Sequence, residues 1–149
     1  MEGYHQPIIR LAQVSDANKL KDLNDLFNDE DDTTLDELEI SLRENKDEII
    51  VCADIGTAIV GICCIPIIKT MCFNWQYGFI TEIFVQKEYR NRGVGTSLMK
   101  FAEKEIAKRG LKKTFLWTGE SNIKAQKLCR SFGYIEMNDT KMFMNERNE

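Results

Sequence analysis

A mixed α/β (α+β) fold is what this sequence predicts, with a mostly antiparallel central sheet of about six or seven strands and about four helices. Three observations predict it. The β-branched runs "EIIVCADI" and "TAIVGICCIPII" flank the short stretch Asp54-Ile55-Gly56-Thr57, which reads as an antiparallel hairpin. Other stretches repeat their apolar residues with helical spacing. In mid-chain a strand, a glycine turn, a helix and another strand follow one another, and that order demands a parallel crossover inside the sheet.

Ile8 to Gln13 reads as the first strand. Ser15 is the expected N-cap of a helix carrying Leu20, Leu23, Leu26 and Phe27, and Thr33 or Thr34 that of a second helix with Leu35, Leu38 and Leu42 on one face. The hairpin follows, and Pro66 is expected to disturb the end of its second strand or to mark an edge. After a loop holding Trp75, "YGFITEIFVQ" reads as one strand. The next helix runs to about Arg109, with Val94, Leu98, Phe101, Ala102 and Ile106 as its apolar stripe and Gly110 as its stop. "KTFLWTG" is a strand, "SNIKAQKLCRSFG" a short helix ended by Gly133, and "YIEMND" and "KMFMNERN" are expected to close the chain as two strands.

A length of 149 residues argues for one domain over residues 1–149. The net charge of −4 speaks against nucleic-acid binding. No apolar run reaches the ~18 residues of a membrane span. "MEGYHQPIIR" lacks the basic and apolar regions of a secretory leader, so a cytoplasmic protein is expected. The five cysteines form no CxxC pair, and neither a metal site nor a disulfide framework is indicated. Most of them read as small core residues.

"VQKEYRNRGVGTSLMKFA" places two glycines behind Arg90 and Arg92, directly before a helix. Helix-opening N–H groups carry a partial positive charge, and glycine lets a ligand come close to them. A hydrogen bond to a charged group contributes about 1.5–3 kcal/mol, so three or four such groups would hold a diphosphate. A strand-to-helix turn without a ligand explains the glycines equally well. The dinucleotide fingerprint fails because Leu98 stands where its third glycine belongs, and the P-loop fails for want of GK[ST].

"EIFVQKEYRNRGVGTSLM" resembles the coenzyme-binding motif [Q/R]-x-x-G-x-[G/A] of the GNAT-type N-acetyltransferase superfamily, with Arg90, Gly93 and Gly95 in its fixed places. "NIKAQKLCRSFGY" resembles that superfamily's N-x-x-A-x-x-L-Y-x-x-x-G-[F/Y] helix in Asn122, Ala125, Leu128, Gly133 and Tyr134. Together they cover Tyr77 to Tyr134. The resemblance implies a GNAT-like acyl-CoA acyltransferase fold. It also implies transfer of an acetyl group from acetyl-CoA, as co-substrate and without a metal, to a primary amine that attacks directly in a ternary complex. By the same resemblance Ile83, Phe84 and Val85 receive the pantetheine arm, an N–H near Val85 holds the oxyanion, and Arg90, Asn91, Arg92, Gly93, Val94, Gly95 and Thr96 form the diphosphate turn. Asn122 then caps its helix, touches the pantetheine arm, or does both.

A lysine-like amine must lose a proton before it attacks, which costs about 4.6 kcal/mol at pH 7 for a gap of ~3.4 pH units at about 1.36 kcal/mol each. Glu82 is the candidate base, since a carboxylate is common at that point of the resembling family's strand; a paired structural carboxylate is the other reading. Thr81 and Glu82 point to opposite faces of one strand. Two departures stand out. Lys87 replaces a common proline, and Cys129 stands where the family often carries a tyrosine general acid. Cys129 is therefore read either as the proton donor to the departing thiolate or as a packing residue, with Tyr134 or a water as substitute for the phenol. Trp75 and Tyr77 read as an acceptor wall or as core, and His5 as incidental.

"NDEDDTTLDELE", Asn28 to Glu39, carries seven carboxylates and no base. It reads as a solvated helix start or as a negative field that gathers a cationic acceptor such as an aminoglycoside, a polyamine, or a lysine or peptide amine. No nucleic-acid or membrane partner is expected, and a homodimer through sheet edges is compatible with the resemblance. A non-catalytic acyl-CoA-binding regulatory module is the alternative to the enzyme.

Overall fold

A computed structural model describes residues 3–28 and 32–147. They fall in two compact units, Met1–Trp117 and Thr118–Glu149. The first holds β1 (Ile8–Leu11), α1 (Ala17–Phe27), α2 (Leu35–Glu44), β2 (Glu48–Asp54), β3 (Ile59–Lys69), β4 (Gln76–Ile80), β5 (Glu82–Val85), α3 (Val94–Lys108) and β6 (Lys113–Leu116). These strands form one six-stranded sheet in the order β1-β2-β3-β4-β6, with β5 on β3. Every pairing is antiparallel except β4 with β6, so α3 is the crossover the sequence demanded.

Each face of the sheet is closed by a different amphipathic layer. On one, Leu98, Met99 and Ala102 of α3 are fully buried, as are Ile49 and Val51 of β2 and Cys63 and Ile65 of β3. Gly61 permits this approach: a Cβ there would lie 3.1 Å from Leu98 Cδ1 and 3.3 Å from the Phe84 carbonyl. On the other face Leu20 and Leu23 of α1 bury Cys52 and Ile59, with Phe27, Leu38, Ile62 and Phe84 around them. Three of the cysteines, Cys52, Cys63 and Cys129, are buried, as core residues should be; Cys64 is half-buried and Cys72 exposed.

Thr34 caps α2 as expected, accepting from the Glu37 N–H while Glu37 answers to the Thr34 N–H at 2.8 Å. Ser15 does not cap α1. It sits inside a 3-10 turn over Val14–Asp16, and the carboxylate that organises this corner is Asp16. Arg10 donates to both Asp16 oxygens at 2.7 Å and to Asp54 Oδ2 at 2.9 Å, and Gln13 N–H donates to Asp16 at 2.7 Å. One guanidinium thus ties β1, the entry to α1 and the β2–β3 hairpin.

Two further expected features are corrected. The stretch read as one strand is two, β4 and β5, broken at Thr81. Cys64 lies opposite Glu82 and Ile67 opposite Gly78, so three steps along β3 face four along its partner. The extra residue makes a bulge, in which the Thr81 N–H still reaches the Cys64 carbonyl at 3.1 Å. Pro66 lies inside β3 in this gap between the two registers, where its missing N–H removes no ladder bond.

The second correction concerns the second unit. It contains α4 (Ile123–Ser131), but no strand occurs over the described residues of 134–147. Ile135, Met137, Met142, Phe143 and Met144 are all exposed. Apolar alternation signals a preference for burial, whereas a strand exists only where a ladder partner supplies the hydrogen bonds.

Candidate functional site

The bulge opens the sheet. β4 is held on both sides, by β3 and by β6, and its parallel pairing ends at Ile80 opposite Leu116. From Thr81 onward the chain pairs with β3 alone, so the far edge of β5 has no strand partner among the described residues. The Gln86 N–H reaches inward to the Val60 carbonyl at 2.7 Å. Alternation along the ladder then turns the N–H groups of Ile83 and Val85 to the open edge, together with the Val85 carbonyl. That carbonyl accepts from Arg90 Nε at 2.7 Å. Phe84 faces the helices instead, its ring stacked on Phe27 at 4.6 Å between centroids.

The glycine turn follows within a few residues. A 3-10 turn over Lys87–Tyr89 leads to Asn91 (φ 60°) and Gly93 (φ 80°), both left-handed. Gly93 is the N-cap of α3, and the first bond of the helix runs from the Ser97 N–H to the Gly93 carbonyl at 3.0 Å. The N–H groups of Val94, Gly95 and Thr96 therefore open the helix without a partner inside it. A Cβ added at Gly93 would meet no atom within 4 Å, so the turn is open at that position. Val94 is buried and roots the turn in the core. Arg90 stands over the Phe84 ring at 5.5 Å and Arg92 over the Tyr4 ring at 4.4 Å. Neither forms an ion pair with a carboxylate of the described residues, which leaves two cations beside the turn. Beside the end of β5, Leu26, Phe84, Gln86, Lys87, Glu88 and Arg90 line a cleft of about 220 Å³.

Glu82 begins β5 immediately after the bulge and lies opposite Cys64. It is exposed overall, and the partial burial it has pushes its carboxyl above its ordinary value. Cys64 lies on the same face as Glu48, the first residue of β2, one cross-strand pair along. Burial raises the Glu48 carboxyl, and the Glu82 charge raises it further. Burial also pushes the Cys64 thiol well up, so it stays protonated. Sequence reading missed Glu48 and Cys64 as neighbours of Glu82, because only strand register brings them together.

Asn122 and Cys129 belong to the second unit. Asn122 caps α4, its Oδ1 accepting from the Ala125 N–H at 3.2 Å. Cys129 is buried, and burial raises its thiol, which holds it neutral. Trp75 precedes β4 and Tyr77 lies on it, both half-buried, while His5 is exposed. Of the acidic segment, residues 29–31 lie outside the described residues, and Asp36 and Glu37 occupy the first turn of α2. Among the described residues no group of three or more His, Cys, Asp or Glu is placed to hold a metal ion, and no helix is long and apolar enough to cross a membrane.

Comparison with known proteins matches residues 17–134 to the profile of the acetyltransferase (GNAT) family. An uncharacterized N-acetyltransferase of Archaeoglobus fulgidus is 30% identical over 90 residues, which is 60% of this chain and 61% of that protein. The chain thus spans less than two thirds of that relative's length. Among solved structures, an aminoglycoside acetyltransferase from an uncultured soil metagenomic sample, in complex with sisomicin, superposes with a TM-score of 0.80 at 14% identity, over 95% of this chain and 96% of its own. The structure of AAC(6')-Iy, in complex with the bisubstrate analogue CoA-S-monomethyl-acetylneamine, gives 0.76 at 19% identity, over 95% and 98%. At these identities the superpositions show a shared fold.

Proposed function

The chain belongs to the acetyltransferase (GNAT) family, and from that premise we propose that it transfers an acetyl group from acetyl-CoA to a primary amine within a ternary complex. The observation that carries this reading is the adjacency of two features, the open edge of β5 and the left-handed entry to α3, which are joined by a few residues of chain. An extended pantetheine arm would add to that edge through the Ile83 and Val85 backbone. The diphosphate at its far end would meet the N–H groups of Val94, Gly95 and Thr96, with Arg90, Asn91 and Arg92 around it.

The chemistry then follows from position. The amine nitrogen forms a bond to the thioester carbonyl carbon while the carbon–sulfur bond breaks. An outward N–H of β5, that of Val85 foremost, would take the developing oxyanion. The amine proton would pass to Glu82, directly or through a water, and partial burial makes this carboxylate a stronger base than an ordinary one. The sulfur leaves as a thiol after gaining a proton, for which a water at the open edge is the candidate donor. Holding both reactants together would supply roughly 7–11 kcal/mol of the barrier reduction.

Thiol release from acetyl-CoA over a panel of primary amines tests the reading, with mass spectrometry of the products. Turnover with acetylated amine supports it. Tight coenzyme binding with no acetylated amine overturns it in favour of a coenzyme-binding regulatory module, a reading for which Cys129 in place of the family's tyrosine is the motive.

A further inference from the structure

On the face of the sheet that carries α1 and α2, the strands β4 and β6 are paved with rings. Tyr77, Phe79 and Phe115 share that face by register, since Gly78 and Ile80 alternate with them into the buried opposite side. Trp75 and Trp117 extend the row at its ends. Centroids step 6.1 Å from Trp75 to Tyr77, 5.6 Å to Phe115, 6.4 Å to Phe79 and 4.1 Å to Trp117. These rings are not core. Trp117 is 55% exposed, and the other four are half-buried.

The row ends at the open edge. Trp117 follows the last β4–β6 pair, at the point where β5 loses its neighbour on that side. Phe79 precedes Glu82 by three residues, and Glu82 shares this face with Cys64 and Glu48. The far end is held by a cation: Lys113 Nζ stands 5.6 Å from the Trp75 ring. The face therefore has a carboxylate end beside the open edge, an apolar middle, and an ammonium at the other end.

Resting on the acetyl-transfer reading, we propose that this ring face is the acceptor platform and that the acceptor is a monocationic primary amine carried on a flat apolar group. The amine would lie at the Glu82 end, where attack on the donor must occur, with its body stacked on Phe79, Trp117 and Phe115. A polycation would bring a second charge towards Lys113 and be repelled by it. A polyhydroxylated body would lay its hydroxyls on ring carbons that offer no hydrogen-bond partner. The platform thus separates this chain from its aminoglycoside-bound structural neighbours.

Both tryptophans of the chain, Trp75 and Trp117, lie in the row, so emission excited selectively at tryptophan reports on this face alone. The experiment compares 2-phenylethylamine, ethanolamine, spermidine and sisomicin as acceptors for the full chain. It follows emission with each amine in the presence of coenzyme A, in the wild type and in Trp117→Ala and Trp117→Phe. Expected are a kcat/KM for 2-phenylethylamine roughly tenfold or more above the other amines, a matching change in emission, and loss of about that preference through KM in Trp117→Ala. Trp117→Phe retains most of it, and coenzyme affinity measured alongside shows the donor site intact. Acetylation of all four amines without preference and with unchanged emission overturns the platform while acetyl transfer stands. Emission that responds to 2-phenylethylamine and is lost in Trp117→Ala, with no amine acetylated, supports the platform and overturns acetyl transfer. Emission that changes with protein concentration together with a sedimenting dimer shows a second copy on the face, and overturns the platform as well.

Discussion

Replacing Gly93 separates a diphosphate cradle from a turn that serves only to join strand and helix. Gly93 holds φ 80°, and an added Cβ meets no protein atom within 4 Å. Gly93→Ala therefore introduces left-handed strain and no clash, a cost of about 1–2 kcal/mol. At roughly 2–4 °C per kcal/mol for a chain of this size, Tm should fall by about 2–8 °C. Asn tolerates the left-handed region better, so Gly93→Asn should lose less. If the N–H groups beyond Gly93 hold the diphosphate, the new side chain stands where that group must approach. Losing one charge-assisted bond of about 1.5–3 kcal/mol weakens the donor roughly ten- to 150-fold. Both variants should show this loss in calorimetric titration with coenzyme A, although their Tm values differ. Acetyl-pantetheine, which has no diphosphate, should keep its KM in both. Wild-type coenzyme affinity in either variant refutes the cradle; an equal loss for acetyl-pantetheine refutes it too, since that would mean general distortion of the turn.

Three other outcomes follow from the carboxylates. Glu82→Gln should lower kcat/KM by roughly 10²–10⁴ and abolish the rise in rate as pH climbs through the raised Glu82 value, because the base works only when deprotonated; a pH–rate profile checks it. Glu48 binds its proton more tightly folded than unfolded, so the fold loses stability as pH rises from the unfolded carboxyl value through the raised folded one. Glu48→Gln should accordingly raise Tm at neutral pH, with no gain below about pH 4 where both forms are protonated. Asp16 is the opposite case: its hydrogen bonds from Arg10 lower its carboxyl, so its contribution is present above the unfolded value near ~3.9 and fades as pH falls further. Asp16→Asn leaves Arg10 without its buried partner and should cost about 3 kcal/mol at pH 7 by urea denaturation, the difference shrinking in acid.

How far the sequence foretold this molecule depends on which physical signal each feature leaves. Helical stripes and caps are local, and Leu20, Leu23 and Thr34 stand where their spacing put them. The glycine turn was legible for the same reason, since a left-handed N-cap needs glycine and the helix must begin beyond it. Strand register is not local. "YGFITEIFVQ" gives no sign that Thr81 is surplus, because a bulge is a mismatch between two strands and only one of them is being read. The consequences of that surplus residue were hidden with it: the open edge of β5, the meeting of Glu82 with Cys64 and Glu48, and the row of rings ending at Trp117. Trp75 and Tyr77 could be suspected of forming a wall; Phe79, Phe115 and Trp117 could not be added until the parallel pairing of β4 with β6 set them on one face. A single unpaired residue thus lies upstream of the proposed donor edge, base and acceptor platform alike. Deleting Thr81 would merge the two registers with Glu82 still opposite Cys64, and would remove the bulge at which the strand parts from β6 and its far edge opens. Coenzyme binding through the edge should then fail while the α3 turn remains. A Thr81 deletion variant that folds and still acetylates an amine at the wild-type rate would show that the bulge is incidental to the chemistry.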